Sequence, residues 1–328
     1  MAKSNYILII GIAASLGIAS FIPIYFAFLN PNPPLWPLLI DIQTKKCLFD
    51  GQGRLVCIPK NPVRVISLGP STTEILFNIS FKKSKIVAIT DYCDYPPDNI
   101  TGIPQIVNGY WSPSPPDIIA FLPDLVIGRN TPGQLAIIPN LEALNIPFFI
   151  MPDEETITDI LNNIELIGNL VNNRDVASQV VTKLENALEK ITNDINGTGN
   201  STLLPIHAKT YYEIWNDPIF FAGGSTFIDD LIYKAGGINL GGFFAGSWPS
   251  LDAPGTELAD LDPEHITIPD WYSWSWITGR TGWAFVTAVI DNNYTQINQD
   301  IIERPGPRII DALYILAKDL CPNIFTWY

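Results

Sequence analysis

The chain has 328 residues, of which 47% are hydrophobic and 16% are charged, and its formal net charge is −14. This length is sufficient for two domains, each with a hydrophobic core of its own. The 19 Lys and Arg residues form no basic cluster and are outnumbered by 33 Asp and Glu. This balance argues against nucleic acid or an anionic membrane surface as the main partner.

Residues 5–29 form an uncharged, mostly apolar run that follows Lys3. Because about 20 apolar residues span a bilayer, we predict that residues 1–29 are an N-terminal transmembrane anchor. A cleaved signal peptide is the alternative, but the run ends without a convincing small-residue cleavage site. The lone Lys3 predicts that the N-terminus lies inside, which places the remaining chain on the extracellular face of the cytoplasmic membrane. Residues 30–62 are predicted to be a Pro-rich spacer followed by a hairpin.

Two of the four cysteines, Cys47 and Cys57, flank a hairpin sequence with Asp50-Gly51 at its turn. We predict a disulfide between them, which would stabilise the fold by about 2–3 kcal/mol. Cys93 and Cys321 are far apart in sequence, and their spacing leaves open whether they meet. No cysteine has the spacing of zinc ligands, so no metal site is predicted.

The sequence contains five N-glycosylation triplets, which agree with an exterior location. One begins at Asn78 and lies late in a predicted helix, which disfavours a glycan there. The four candidate glycosylation sites are Asn99, Asn196, Asn200 and Asn293.

Short apolar runs alternate with helix signals between residues 63 and 172, which predicts an N-terminal α/β lobe with a parallel sheet. Ser71 and Glu74 have the spacing of a capping box at the start of the first helix. The predicted strands are 64–68, 86–89, 125–127 and 148–150, and the predicted helices begin at Ser71 and span 116–122 and 156–170.

Apolar residues recur every three or four positions in residues 174–193, which predicts an uninterrupted amphipathic helix of roughly 30 Å. Asn173 is its predicted N-cap, and Gly197 is expected to end it in a left-handed conformation. Similar strand, turn and helix segments lie on both sides. We therefore predict an α/β protein in which one long rigid helix, residues 173–195, bridges two Rossmann-like lobes. The second lobe is residues 196–328.

The second lobe has predicted strands at 209–215 and 266–268 and helices that begin at Ser225, contain Glu257 and span 309–319. Aromatic residues follow the strands of both lobes. Because ligands of open α/β sheets bind beyond the carboxyl ends of strands, these rings predict a site for a large, flat, mainly apolar ligand. The sequence Trp271-x-x-Trp274-x-Trp276 fits either packing between the lobes or a ligand wall.

An enzymatic role is not predicted. Neither a G-x-S-x-G elbow, nor a Walker loop, nor H-E-x-x-H, nor a G-x-G-x-x-G turn follows a strand. With only His207 and His265 in the chain, a Ser-His-Asp triad is a poor candidate. His265 adjoins a strand and is interpreted as a structural residue.

Six motifs occur in one order, and together they resemble one family: residues 64–76, 90–97, 123–126, 221–229, Trp248-Pro249 and 304–308. The chain is similar, over residues 64–322, to substrate-binding proteins of metal-chelate ABC importers, in particular the vitamin B12-binding type. The resemblance implies two lobes on one rigid helix, with a ligand in the cleft that is delivered to a membrane permease and its ATPase. By matched position, Tyr92, Trp111, Trp248 and Arg304 would line the cleft, and Glu74 and Glu257 would dock the permease from the upper surface of each lobe.

The candidate ligand-binding residues from motifs and strand ends together are Tyr92, Tyr110, Trp111, Arg129, Trp215, Trp248 and Arg304. Because only Arg129, Arg280 and Arg304 could supply cations near the cleft, a corrinoid such as cobalamin is favoured over a ferric siderophore or haem. Residues 129–131 depart from the B12-binding pattern, where an aromatic residue is expected, so the ligand stays open. No covalent cofactor is expected. A glycosylated surface protein that reuses the fold is the remaining alternative.

Overall fold

The computed structural model describes residues 44–197 and 208–325. The predicted anchor, most of the spacer and Asn200 lie outside these ranges. Within them, no helix combines the length and the apolar character that a membrane span requires.

Near the start of the described residues lies the predicted hairpin, formed by β1 (Lys45–Phe49) and β2 (Leu55–Pro59). The disulfide between Cys47 and Cys57 is present as predicted. The carboxylate of Asp50 organises the turn, because it accepts hydrogen bonds from the backbone N–H groups of Gln52 and Arg54, both at 2.9 Å.

The first large sheet has five strands in the order β5-β4-β3-β6-β7, and every neighbouring pair is parallel. The parallel sheet predicted for this part of the chain is therefore confirmed. Its strands are β3 (Val65–Ser67), β4 (Ile86–Thr90), β5 (Gln105–Ile106), β6 (Leu125–Gly128) and β7 (Phe148–Ile150). Its helices are α1 (Pro70–Asn78), α2 (Pro97–Ile100), α3 (Pro115–Ala120), α4 (Pro132–Ala136), α5 (Ile138–Glu142) and α6 (Ile157–Leu170). We call residues 47–172 the N-terminal half.

The second large sheet is mixed. Its order is β11-β9-β8-β12-β13, with β10 also paired to β8, and β9 and β11 supply its antiparallel pairs. Its strands are β8 (Ala208–Asn216), β9 (Ile219–Phe221), β10 (Gly237–Asn239), β11 (Ser250–Leu251), β12 (His265–Pro269) and β13 (Tyr294–Ile297). Its helices are α8 (Phe227–Lys234), α9 (Thr256–Asp260), α10 (Ser275–Thr278), α11 (Thr287–Ile290), α12 (Gln299–Ile302) and α13 (Ile309–Leu320). We call residues 208–325 the C-terminal half.

Between the halves runs the long amphipathic helix α7 (Arg174–Asn196), which packs against both α6 and α13. Gly168 of α6 permits a close approach, since a Cβ there would lie 2.3 Å from the Cβ of Ala177. Asn173 is the N-cap residue, as predicted, although its side chain donates to the carbonyl of Ile79 and makes no capping hydrogen bond. The predicted conformation of the other end is wrong. Gly197 has φ −87°, so the helix does not end in a left-handed residue.

One apolar core extends through both halves along this helical layer. It includes Ile75 of α1, Ile164 of α6, Val181 of α7 and Leu313 of α13, all buried. Two smaller cores lie on the other faces of the sheets, one in each half. Because burial of a shared apolar surface opposes separation, the two sheets are fixed to a common helical layer.

The predicted capping box at Ser71 and Glu74 is absent. Gly69 is the N-cap of α1 and Pro70 occupies the first helical position, where its fixed φ and missing N–H are tolerated. Ser71 is therefore already inside the helix, and Glu74 bonds elsewhere.

Candidate ligand-binding site

The candidate site lies where the carboxyl ends of the parallel strands of both sheets are followed by aromatic loops. In the N-terminal half, Tyr92 follows β4, and Tyr110 and Trp111 follow β5. In the C-terminal half, Trp215 lies at the end of β8 and Trp271 follows β12. Parallel strands place these loops at one edge of each sheet, which is the position where open α/β sheets bind ligands.

Tyr92, Tyr110 and Trp111 form an N-terminal aromatic cluster. The ring centroids of Tyr92 and Tyr110 are 6.1 Å apart, and those of Tyr110 and Trp111 are 4.8 Å apart, both in edge-to-face geometry. Tyr92 is 46% exposed and Trp111 is 56% exposed. The cluster therefore lies at the protein surface, and its exposed rings are available to a flat ligand.

Trp215, Trp271 and Trp276 form a second group of rings, the tryptophan cluster. Trp215 and Trp271 have ring centroids 5.6 Å apart, and Trp271 and Trp276 are 6.3 Å apart. Trp248, which was also predicted to bind the ligand, lies in a separate loop before the edge strand β11 and is 46% exposed.

The two halves contact each other through an ion cluster formed by Glu74 and Asp94 of the N-terminal half and Asp300, Arg304 and Arg308 of the C-terminal half. Nη1 of Arg304 lies 3.1 Å from Glu74 and 2.5 Å from Asp94, and its Nη2 lies 2.7 Å from Asp300. Arg308 binds Glu74 through two nitrogens, at 2.8 and 2.6 Å. The guanidinium carbon of Arg308 also lies 4.0 Å from the ring centroid of Tyr95.

The charges in this cluster change the protonation equilibria of its members. Burial alone would lower the pKa of Arg304, but the hydrogen bond that it donates to Asp94, the charge of Asp300 and the hydrogen bond that it donates to Glu74 raise that pKa above its ordinary value. Burial would raise the pKa of Asp94, but the hydrogen bond and charge of Arg304 lower it. The pKa of Asp300 is raised, because its burial and the neighbouring Asp94 outweigh the attraction of Arg304. Arg304 therefore stays positively charged at neutral pH.

These contacts bear on two of the predictions. Glu74, expected on the upper surface, is 3% exposed and uses both carboxylate oxygens for Arg304 and Arg308. It cannot present a carboxylate to a permease in this arrangement. Arg304, expected to line the cleft, has a side chain only 12% exposed that three carboxylates already hold.

The other two candidate arginines are paired as well. Arg129 binds Glu154 through both terminal nitrogens; burial lowers the pKa of Arg129, but the hydrogen bonds and charge of Glu154 outweigh burial and leave that pKa raised. Arg280 binds Glu213 in the same two-pronged manner, and its pKa is also raised: burial lowers it and Glu213 more than compensates. Neither guanidinium is presented to the site, so the prediction that Arg129 contacts the ligand finds no geometric support.

The remaining predicted residues lie at the surface or in the core. Glu257 of α9 is exposed, and so are Asn99, Asn196 and Asn293. Cys93 and Cys321 are buried thiols that are not bonded to each other. In the part of the chain that the structure describes, no group of three or more His, Cys, Asp or Glu side chains is placed to hold a metal ion.

The sequence did not indicate that Asp94 and Asp300 belong to the ion cluster, because a carboxylate gives no local sign of a distant partner. The spacing of Trp271 and Trp276 after β12 was a usable signal, but it did not distinguish a packed ring from an exposed one.

Comparison with known proteins decides the family. The sequence model of the periplasmic binding protein family matches residues 65–313. The chain belongs to this family. This periplasmic binding protein is 24% identical over 292 residues to an uncharacterised ABC transporter substrate-binding lipoprotein of Bacillus subtilis, a match that covers 89% of this chain and 88% of the relative. It is 25% identical over 268 residues to the vitamin B12-binding protein of Vibrio cholerae, covering 79% of this chain and 89% of that one.

Solved structures agree on the fold. The periplasmic haem-binding protein of Roseiflexus superposes with a TM-score of 0.69 at 19% identity, covering 80% of this chain and 98% of the other. At that identity the likeness shows the fold alone. The periplasmic binding protein fold, with its mixed α/β architecture and parallel strands, is thereby established for this chain.

Proposed function

We propose that this periplasmic binding protein is the extracytoplasmic substrate-binding component of an ABC importer. It captures a corrinoid between its two halves and delivers it to the permease. The observation that carries the proposal is the pair of exposed aromatic groups, one at the carboxyl edge of each sheet, on halves joined by the ion cluster. The names of the two curated relatives support the transport role, and the Vibrio cholerae relative is a vitamin B12-binding protein.

The architecture supports capture with little hinge motion. We propose lobes at residues 63–172 and 196–328, bridged by the rigid helix 173–195. The packing of α7 on α6 and α13, and the apolar core that these helices share, support this division. The ion cluster adds a second connection beside the site. Two halves that are joined at two places move less relative to each other than two halves that are joined by a single segment.

The charge pattern favours a corrinoid over haem or a ferric siderophore. Haem carries two carboxylates and many ferric chelates are anionic, and such groups are usually met by guanidinium or ammonium groups. Here Arg129, Arg280 and Arg304 are each bound to a carboxylate of the same chain. An anionic ligand would have to displace these buried pairs. A corrinoid presents amide groups and a broad ring, which aromatic faces accommodate without that cost.

The partners follow from the importer role. The permease would be met by exposed acidic residues, of which Glu257 on α9 is the candidate that the geometry still permits. The chain would work on the extracellular face of the cytoplasmic membrane, held there by residues 1–29 if these are retained. On that face of the membrane, we also propose N-glycosylation at four sites, Asn99, Asn196, Asn200 and Asn293.

A ligand titration tests the function. The purified full-length chain is titrated with cyanocobalamin, dicyanocobinamide, haemin and a ferric hydroxamate, with tryptophan fluorescence as the signal and correction for ligand absorbance. We expect saturable quenching by the corrinoids at micromolar concentration or below, and at least about tenfold weaker binding of haemin. If haemin or the hydroxamate binds more tightly than the corrinoids, that compound's class would replace the corrinoid as the proposed ligand. The absence of saturable binding by all four would favour a surface protein that reuses the fold.

A further inference from the structure

The three indoles of the tryptophan cluster create one patch of exposed ring surface. Trp215 is 48%, Trp271 43% and Trp276 41% exposed. Tyr272 lies beneath them, with its ring centroid 5.8 Å from that of Trp271 and 4.8 Å from that of Trp276. Single exposed aromatic residues are common on protein surfaces, but contiguous exposed apolar patches mark binding sites.

This patch is held in place by a buried polar network. Glu213, fully buried in β8, accepts a hydrogen bond from the hydroxyl of Tyr211 at 2.9 Å, another from the hydroxyl of Tyr272, and two from Arg280. The guanidinium of Arg280 lies 5.0 Å from the ring of Trp283. The loop between Trp271 and Arg280 is therefore fixed at both ends. A ligand would meet rings that are already ordered, which lowers the entropic cost of binding.

The tryptophan cluster is tied to the interface between the halves. Nε1 of Trp271 donates to Oε1 of Gln299 at 2.7 Å, at the first residue of α12. The next residue, Asp300, binds Arg304, and Nη2 of Arg304 reaches the carbonyl oxygen of Tyr92 at 3.4 Å. A continuous path of contacts thus leads from the tryptophan cluster to the N-terminal aromatic cluster.

Packing within the protein accounts for other tryptophans of the same segment but not for these. The ring of Trp274 stacks on that of Tyr294, with centroids 4.3 Å apart and planes 9° from parallel. Trp283 is fully buried, and its Nε1 donates to the carbonyl of Pro254. Trp271 and Trp276 instead keep about two-fifths of their surface exposed.

We infer that Trp271 and Trp276, together with Trp215, form the C-terminal wall of the ligand site and stack on the flat face of the bound molecule. This inference rests on the proposed function and adds two residues that determine its specificity. Exposed Asp217 and Asp270 adjoin the wall. Because they would repel an anionic periphery, the face that meets the wall belongs to an apolar ring system with uncharged or cationic substituents.

The test uses the full-length chain and two matched variants. In the first, Trp271→Leu and Trp276→Leu are combined, which keeps apolar side chains at both positions but removes both ring faces. In the second, Trp274→Leu removes a tryptophan from the same segment that stacks on Tyr294. Cyanocobalamin and dicyanocobinamide are the probes, and circular dichroism with urea unfolding verifies that each variant is folded. A third variant, with Trp271→Phe and Trp276→Phe combined, keeps aromatic faces in case the leucine pair does not fold.

We expect the leucine pair to weaken corrinoid binding by about tenfold or more and the phenylalanine pair by less, with a change below about twofold for Trp274→Leu. The amplitude of quenching should also fall with the leucine pair more than with Trp274→Leu. Unchanged affinity in the folded leucine pair overturns the inference while leaving the proposed function intact. If the leucine pair does not fold, a loss of affinity in Trp274→Leu at least as large as that in the phenylalanine pair overturns it. If the wild-type chain binds neither corrinoid, the proposed function fails, and this wall fails with it.

Discussion

His265 illustrates how a single buried side chain makes stability depend on pH. Its Nδ1 lies 3.0 Å from Oγ1 of Thr210, and its Nε2 lies 2.9 Å from Oγ1 of Thr295. Because Thr295 donates its hydroxyl proton to Asp319, it accepts from His265, which places the imidazole proton on Nε2. Both ring nitrogens are thus satisfied in the neutral form, which fits the interpretation of this residue as structural.

We predict that this imidazole destabilises the fold as the solution becomes acidic. Burial lowers its pKa from 6.5 to about 4, against the opposing charge of Asp319. The unfolded chain takes up a proton near pH 6.5, whereas the folded chain does so only near pH 4. Its contribution to stability is therefore complete above pH 6.5 and is lost as the pH falls to about 4, a total of about 3 kcal/mol.

Urea unfolding of the wild type and of His265→Gln between pH 7.5 and about 4 isolates this effect, because carboxylates titrate equally in both proteins. The wild type should lose about 3 kcal/mol more of its free energy of unfolding than the variant over this range. A difference between the two proteins that does not change with pH would contradict the prediction.

Among the helices, α6 has the best-defined beginning. The hydroxyl oxygen of Thr156 accepts from the backbone N–H of Asp159, and a carboxylate oxygen of Asp159 accepts from the backbone N–H of Thr156 at 2.9 Å. This is a complete capping box, and it satisfies two backbone donors that would otherwise lack a helical partner. Ser114, the N-cap of α3, makes no such side-chain bond.

We therefore predict that Thr156→Ala lowers the free energy of unfolding by about 1 kcal/mol. Ser114→Ala is the matched control and should cost less than about 0.5 kcal/mol, since it removes no capping bond. Urea midpoints at pH 7 measure both. Equal losses in the two variants would show that the capping bonds of α6 contribute nothing beyond the removal of a hydroxyl.

The comparison of these helices shows what sequence could and could not supply at this level. The spacing of Ser71 and Glu74 matched a capping box as well as that of Thr156 and Asp159 did, but only the second forms. Pro70 moves the N-cap to Gly69, and that competing preference was readable in the sequence. The partners of Glu74 were not readable, because Arg304 and Arg308 lie 230 and 234 residues away.

For the whole molecule, long periodic segments and the strands of the parallel sheet were predictable, whereas the antiparallel strands and the distant pairs were not. The apolar period of α7 and the strands β4, β6 and β7 follow from local sequence. The antiparallel strands β9 and β11 depend on pairing, since β9 pairs with β8 and β11 pairs with β9. Exposed rings at strand ends could be foreseen, but the neutralisation of each candidate arginine depends on tertiary contacts.

The ion cluster between the halves supplies the last prediction, because two of its carboxylates share Arg304 in different environments. The side chain of Glu74 is 2% exposed and that of Asp94 is 59% exposed. Removing the charge of Glu74 leaves Arg304 and Arg308 buried without their common partner, so Glu74→Gln should lower the free energy of unfolding by about 3 kcal/mol. Asp94→Asn weakens a solvent-screened pair and should cost less than about 1 kcal/mol. Urea unfolding of the two variants at neutral pH measures the difference directly. A loss for Glu74→Gln no greater than that for Asp94→Asn would mean that the halves are held by α7 and the shared core alone.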